Sequence, residues 1–133
     1  MLKNGHPTII DLDFAKIEIY DNYIVTTVNE GILFNLEHLE KYHIIFEAYF
    51  PDKYFGFISN RINDYTVNPI CYYSKYDNFP WLLGEAVLCY SHNTYQTVSF
   101  EKNFCKRHFE IFYILEECKE WFNKLRENKK AGL

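Results

Sequence analysis

The chain first turns regular at Lys16-Ile17-Glu18-Ile19-Tyr20, where charged and apolar positions alternate with the period of two of a half-buried strand. Asp21-Asn22 follows, and then Tyr23-Ile24-Val25-Thr26-Thr27-Val28. Two β-rich runs around an Asp-Asn link predict a hairpin, because both residues tolerate the backbone of a tight turn. The second run is β-branched on both faces, which predicts a central strand. After Asn29-Glu30-Gly31 the period changes. Leu36, Leu39, Tyr42, Ile45, Phe46, Tyr49 and Phe50 recur at three- and four-residue spacing behind Asn35. That is one face of a helix capped by Asn35 and stopped by Pro51.

The second half continues the alternation. Tyr54–Ile58 is a third strand, and a polar stretch, 59–66, leads to Asn68-Pro69. Asn as cap and Pro at the first position predict a second helix, running to about Tyr76. Trp81–Tyr90 is nearly continuously apolar and predicts a buried parallel strand. Ser91 or Asn93 caps a third helix to about Asn103, and His108–Phe112 is the last strand. Glu116 and Glu117 open the last helix, with Leu115, Cys118, Trp121, Phe122 and Leu125 on its apolar face. The expected fold is α/β: an N-terminal β-hairpin, then alternating helix and strand, giving a mostly parallel five-stranded sheet packed with four helices. Residues 1–13, broken by Gly5 and Pro7, read as a loose lead-in, 14–127 as a single domain and 128–133 as a tail.

Composition narrows the function classes. The 133 residues suffice for one domain, and an apolar fraction of 48% with 24% charged excludes wholesale disorder. The net charge of −4 gives no general attraction for nucleic acid or anionic lipid. Lys102, Lys106 and Arg107 form one basic cluster. Lys124, Arg126, Lys129 and Lys130 form another, at a helix end that the dipole favours. No apolar run approaches a membrane span, and MLKNGHPTII lacks the apolar core of a signal peptide, so the expected location is cytoplasmic. Of four cysteines, Cys89 and Cys118 read as small core residues. Cys105 and His108 could supply two metal ligands, but a second pair is missing, so neither metal nor cofactor is expected.

Aromatics make up 20% of the chain. Asn, Ile, Lys, Phe and Tyr are all frequent, as an AT-rich genome produces, so the count by itself does not require a stacking platform. Helix and strand spacing assigns Phe46, Tyr49, Phe50, Phe57, Phe112, Trp121 and Phe122 to the core. Tyr65, Tyr72, Tyr73, Tyr76, Phe79, Trp81 and Tyr95 remain off those faces.

In parallel α/β sheets, ligands sit outside the carboxyl ends of the strands. That rule gathers Asn29-Glu30-Gly31, Ser91-His92-Asn93 and, above all, Ser59, Asn60, Arg61, Asn63, Tyr65 and Thr66 as candidate binding residues. Arg61 could fork to a carboxylate or phosphate, or pair only with Glu30 or Asp64. Ser59 or Thr66, near a helix start, could accept a phosphoryl group. Glu85 stands inside an apolar run, where burial would raise its pKa. Alternatively it marks the strand's start after Gly84 or pairs with a base. No nucleophile elbow, phosphate loop, dinucleotide fingerprint or His-Glu-x-x-His motif occurs, and no catalytic residue is assigned.

The hairpin, the helix opened by Asn35, the stretch Phe55-Gly56-Phe57-Ile58-Ser59-Asn60-Arg61-Ile62-Asn63 and the closing Phe109–Phe112 with Leu115–Trp121 resemble the small bacterial STAS-like proteins. These belong to the sporulation anti-sigma-antagonist superfamily, and the likeness is to Bacteroidetes-type members also labelled CRAL-TRIO-like. It covers residues 14–126. It implies a β/α superhelix that acts as a protein-binding switch, in some members controlled by phosphorylation before the second helix, in others as a lipid-binding module. Regulated members carry Asp-Ser-Ser/Thr-Gly where this chain has Ser59-Asn60-Arg61, so Ser59 matches by position only. Tyr113 and Ile114 replace the usual Ser/Thr cap of the last helix, a loss of about 1 kcal/mol. The expected function is a non-enzymatic binding or regulatory domain with an unknown protein partner. The alternatives are a small apolar ligand or lipid, or a hydrolase using Ser91, His92 or Cys105. Surplus aromatics make a homodimer a further expectation.

Overall fold

A computed structural model describes residues 6–73 and 79–132. Its centre is a six-stranded sheet with strands in the order β1 (Thr8–Asp11), β2 (Ala15–Ile19), β3 (Tyr23–Val28), β5 (Phe55–Asn60), β7 (Leu82–Leu88) and β8 (Phe109–Phe112). The first three pair antiparallel, and β3, β5, β7 and β8 run parallel. A separate parallel pair, β4 (Leu33–Phe34) and β6 (Thr66–Val67), lies outside this sheet. The helices are α1 (Leu36–Tyr49), α2 (His92–Lys102) and α3 (Leu115–Lys130), with one 3-10 turn at Pro69–Tyr72.

The α/β class, the hairpin and the mostly parallel sheet agree with the sequence pattern, but two counts change. The sheet has six strands, not five, because Thr8–Asp11 is no loose lead-in: it pairs along β2, from Thr8 with Ile19 to Asp11 with Lys16. The helices number three among the described residues, not four. Asn68 and Pro69 do start a turn, and the Asn68 side chain accepts from the Ile70 amide, but it is one 3-10 turn. Residues 74–76 of the expected second helix lie outside the described residues.

Side chains sort by sheet face. Ile24 and Val28 of β3 and Phe55 and Phe57 of β5 pack with Leu39, Tyr42, Ile45 and Phe46 of α1. On the opposite face Val25, Ile58, Ala86 and Leu88 pack with Cys118, Phe122 and Leu125 of α3. Val98 of α2 joins Tyr72, Val87 and Phe109 in a third cluster. α1 is opened by Asn35, whose amide donates to His38 Nδ1 at 2.8 Å, while α3 starts after Ile114 with no side-chain cap. The aromatics depart from spacing in places. Tyr72 and Phe79 are buried, whereas Tyr49 is exposed and Phe112 and Trp121 are half-buried. Tyr73 and Tyr95, which spacing left off the core faces, are exposed; Tyr76 lies outside the described residues.

One irregularity in β7 matters for the site. Phe55 pairs with Leu82 but Phe57 pairs with Glu85, so two steps on β5 meet three on β7. A bulge of this kind absorbs an extra residue and re-aims the side chains beyond it. Leu82 packs on the α1 face, Leu83 on the α3 face, and Glu85 returns to the α1 face beside Phe57. Without the bulge, strict alternation would have turned Glu85 toward α3.

Gly56 lets α3 lie close to the sheet. A Cβ there would fall 2.3 Å from the Phe122 ring, which is itself buried. G56A should therefore lower the unfolding free energy by about 2–3 kcal/mol in a urea titration. A variant as stable as the parent would show that Phe122 can yield.

Candidate functional site

The carboxyl ends of β3, β5 and β7 open into one cleft of about 540 Å3. Glu30, Gly31 and Ile32 come from the loop after β3, and Arg61, Asn63, Asp64, Tyr65 and Thr66 from the segment after β5. Ser91, Asn93, Thr94 and Thr97 come from the start of α2. These are the three loops that the carboxyl-end rule selects. Two of them are tied together. The Gly31 amide donates to the Asp64 carbonyl at 2.8 Å, the Asp64 amide donates to Glu30 Oε1 at 3.1 Å, and the Thr66 amide donates to the Ile32 carbonyl at 3.0 Å. Gly31 has φ near +79°, a conformation that favours glycine at this turn.

Behind the cleft lies a recess of about 20 Å3 on the α1 face of the sheet. Arg61 and Tyr65 line both spaces. The recess is also bounded by Thr26 and Val28 of β3, Tyr42 of α1, Phe57 and Ser59 of β5, Cys71 and Tyr72 of the 3-10 turn, and Glu85.

Arg61 is the organising residue. It is 4% exposed, and its guanidinium reaches both carboxylate oxygens of Glu101, at 2.6 and 3.3 Å. Its Nε donates to Ser59 Oγ at 3.1 Å, Ser59 Oγ shares a hydrogen bond with Tyr65 Oη at 3.0 Å, and Tyr72 Oη donates to Glu101 Oε1 at 2.7 Å. The guanidinium also stacks over the Tyr65 ring, 4.5 Å from its centre. Burial works against the Arg61 charge, but Tyr65 and Glu101 outweigh it and the pKa rises. The expected pairing with Glu30 or Asp64 is thus replaced. The chain leaving β5 points Arg61 inward, where α2 presents a carboxylate 40 residues later.

The other candidate residues divide. Ser59 is 3% exposed and held by Tyr65 and Arg61, so no phosphate can reach it without unpacking. Asn60 belongs to the opposite face: its amide donates to Thr27 Oγ1, and it accepts from Tyr90 Oη. Asn63 lines the cleft and donates to the Val28 carbonyl at 3.0 Å. Tyr65 is half-buried between cleft and recess, and Thr66 is exposed on the rim. Of the hydrolase candidates, Ser91 uses its hydroxyl to cap α2, accepting from the Thr94 amide and donating to Thr94 Oγ1. Among the described residues, no three His, Cys, Asp or Glu side chains gather as a metal site. No described helix is long and apolar enough to cross a membrane.

Glu85 neither starts its strand nor pairs with a base. It is buried in mid-strand, and its Oε1 has no hydrogen-bond partner among the described residues. Burial pushes the Glu85 carboxyl up to about 8, Arg61 working against the rise and Glu101 with it. Sequence spacing put Tyr42 on the core face of α1 and left Tyr72 off the core faces, but did not single out Glu101, whose partner is distant in sequence.

R61A leaves Glu101 buried without its cation and should cost about 3–5 kcal/mol of stability, read by denaturant unfolding. For Glu85 the folded pKa lies above the unfolded one, so folding binds a proton between them. Its stabilisation is complete below about pH 4.5 and lost as pH rises through about 8. Stability should fall over that window by on the order of a few kcal/mol, and E85Q should flatten the fall. An unchanged slope in E85Q would place the titration elsewhere. Comparisons of the chain with protein families, curated proteins and solved structures returned no match.

Proposed function

We propose that the chain is a binding domain whose ligand site is the cleft at the carboxyl ends of β3, β5 and β7. The observation that carries this reading is the cleft itself. At about 540 Å3 it falls in the size range of small-molecule sites, and three loops converge on it. Its lining is rich in neutral hydrogen-bonding side chains, Asn63, Thr66, Ser91, Asn93, Thr94 and Thr97, with the carboxylates of Glu30 and Asp64. Those groups suit a small polar ligand better than a lipid. The Ser91 hydroxyl is spent on capping α2, and binding without chemistry accounts for this lining.

A protein-docking reading, the one that STAS-like resemblance favours, is supported by a single feature: Thr66 is exposed on the cleft rim. A phosphate-controlled contact would run through Thr66, since Ser59 is enclosed.

T97W, on the exposed side of α2, tests the cleft. In a thermal-shift panel of small polar metabolites, a ligand at about a hundred times its Kd should add about 2.7 kcal/mol to the stability of the parent chain. The same compound should leave T97W unmoved. Equal stabilisation of both proteins, or of neither by any compound, would dismiss the cleft as the site.

A further inference from the structure

The recess behind Arg61 and Tyr65 has a chemistry that cleft binding alone leaves unused. Its volume of about 20 Å3 admits about one water-sized group. Rings of Phe34, Tyr42, Phe57, Tyr65 and Tyr72 line it, together with Glu85. The local charges do not balance once Glu85 ionises. Arg61 is committed to Glu101 through two hydrogen bonds, and Tyr72 adds a third to the same carboxylate. Two carboxylates therefore share one guanidinium. Glu85 Oε1, buried, has no hydrogen-bond partner among the described residues, while the Tyr42 hydroxyl lies beside Thr26. A buried acceptor left unmade is costly, and aromatic rings attract a cation through their quadrupoles. A water molecule would answer the hydrogen bonds. A compact cation with N–H donors would answer the hydrogen bonds, the charge and the rings together.

We propose that the recess binds the head group of a small ammonium compound, held between Glu85 and the surrounding aromatic rings, with the rest of the molecule in the cleft. This assignment rests on the cleft being the ligand site and names the ligand's chemical class. Glu30 and Asp64 at the cleft give its mouth the sign that draws in a cation. The head group passes Arg61 and Tyr65, the two residues common to both spaces.

Binding has a proton balance. The groups facing Glu85 are Arg61 and Tyr65 from the segment after β5, Glu101 from α2, Tyr42 from α1, and Cys71 and Tyr72 from the 3-10 turn. With its carboxyl held at about 8, Glu85 carries a proton at neutral pH. The ammonium displaces it: a neutral carboxylic acid and a free cation become a carboxylate–ammonium pair and a released proton. Affinity should thus rise about tenfold per pH unit below pH 8 and level off above it.

The experiment titrates methylammonium chloride into the 15N-labelled full chain from about pH 6 to about pH 8, with methanol as the neutral isostere. The expected result is a saturable shift of amides at Phe57–Tyr65 and Glu85 with methylammonium alone. It should tighten with pH, with about one proton released per molecule bound at the acidic end, measured by calorimetry in two buffers. E85Q keeps the shape of the protonated acid. Near pH 6, where the unfolded parent has already ionised this carboxyl, it should melt no lower than the parent and bind methylammonium at least about tenfold more weakly. No saturable shift, equal shifts with methanol, or equal binding by E85Q would overturn the ammonium site. T97W separates the two readings. If it abolishes metabolite binding while methylammonium leaves the recess amides unmoved, only the ammonium assignment falls. If methylammonium binds but T97W alters no metabolite, the cleft falls instead.

Discussion

The buried pair of Arg61 and Glu101 holds the carboxyl end of the parallel strands and α2 together. Its residues come from elements that no sheet hydrogen bond joins: Arg61 leaves β5, and Glu101 sits near the end of α2. Burying two charges is favourable only when their hydrogen bonds are nearly all made. Here Ser59, Tyr65 and Tyr72 complete that requirement, and the Arg61 amide extends the β5–β7 ladder to the Leu88 carbonyl at 3.0 Å. The pair fixes α2 over the sheet, and α2 in turn supplies one wall of the cleft. Recess and cleft therefore owe their shapes to one ion pair.

Against that saturated network, Glu85 stands out by contrast. The two carboxylates lie in the same polar cluster, yet one is bound on both oxygens and the other has an oxygen with no partner among the described residues. The difference arises in the backbone. A bulge at Leu83–Gly84 sets the face on which Glu85 emerges, and at that position Arg61 is already engaged. Where a fold retains such a group despite its cost, the usual reason lies in chemistry done with it.

Much of this was legible in the residues. Period-two alternation located β2, helical spacing located α1 and α3, continuous β-rich or apolar runs located β3, β5 and β7, which are buried on both faces, and a cap residue located the start of α2. The carboxyl-end rule then drew the loops around Asn29–Gly31, Ser59–Thr66 and Ser91–Asn93 together, and the cleft lies there. The features that escaped depend on partners distant in sequence. Thr8–Asp11 carries too little pattern to announce a strand and becomes one by pairing with β2. Asn68-Pro69 specifies a turn's start but not its length. The partner of Arg61 was sought nearby, at Glu30 and Asp64, because a pairing across 40 residues leaves no local trace. Asn60 and Ser59 are neighbours, so alternation sends one away from the site as surely as it sends the other in.

The small β4–β6 pair has a mechanical consequence. Backbone hydrogen bonds from Gly31 to Asp64 and from Thr66 to Ile32, continued by the Asn68 amide at the Phe34 carbonyl, rivet two loops into one strap. Loops that are separate in sequence then lose their independence. A push at residue 31 is felt at residue 66, and Tyr65, carried on the same strap, moves with it. A head group passing between cleft and recess, as proposed, would have to displace a stitched rim as one piece, against a stiffness set by a few peptide hydrogen bonds.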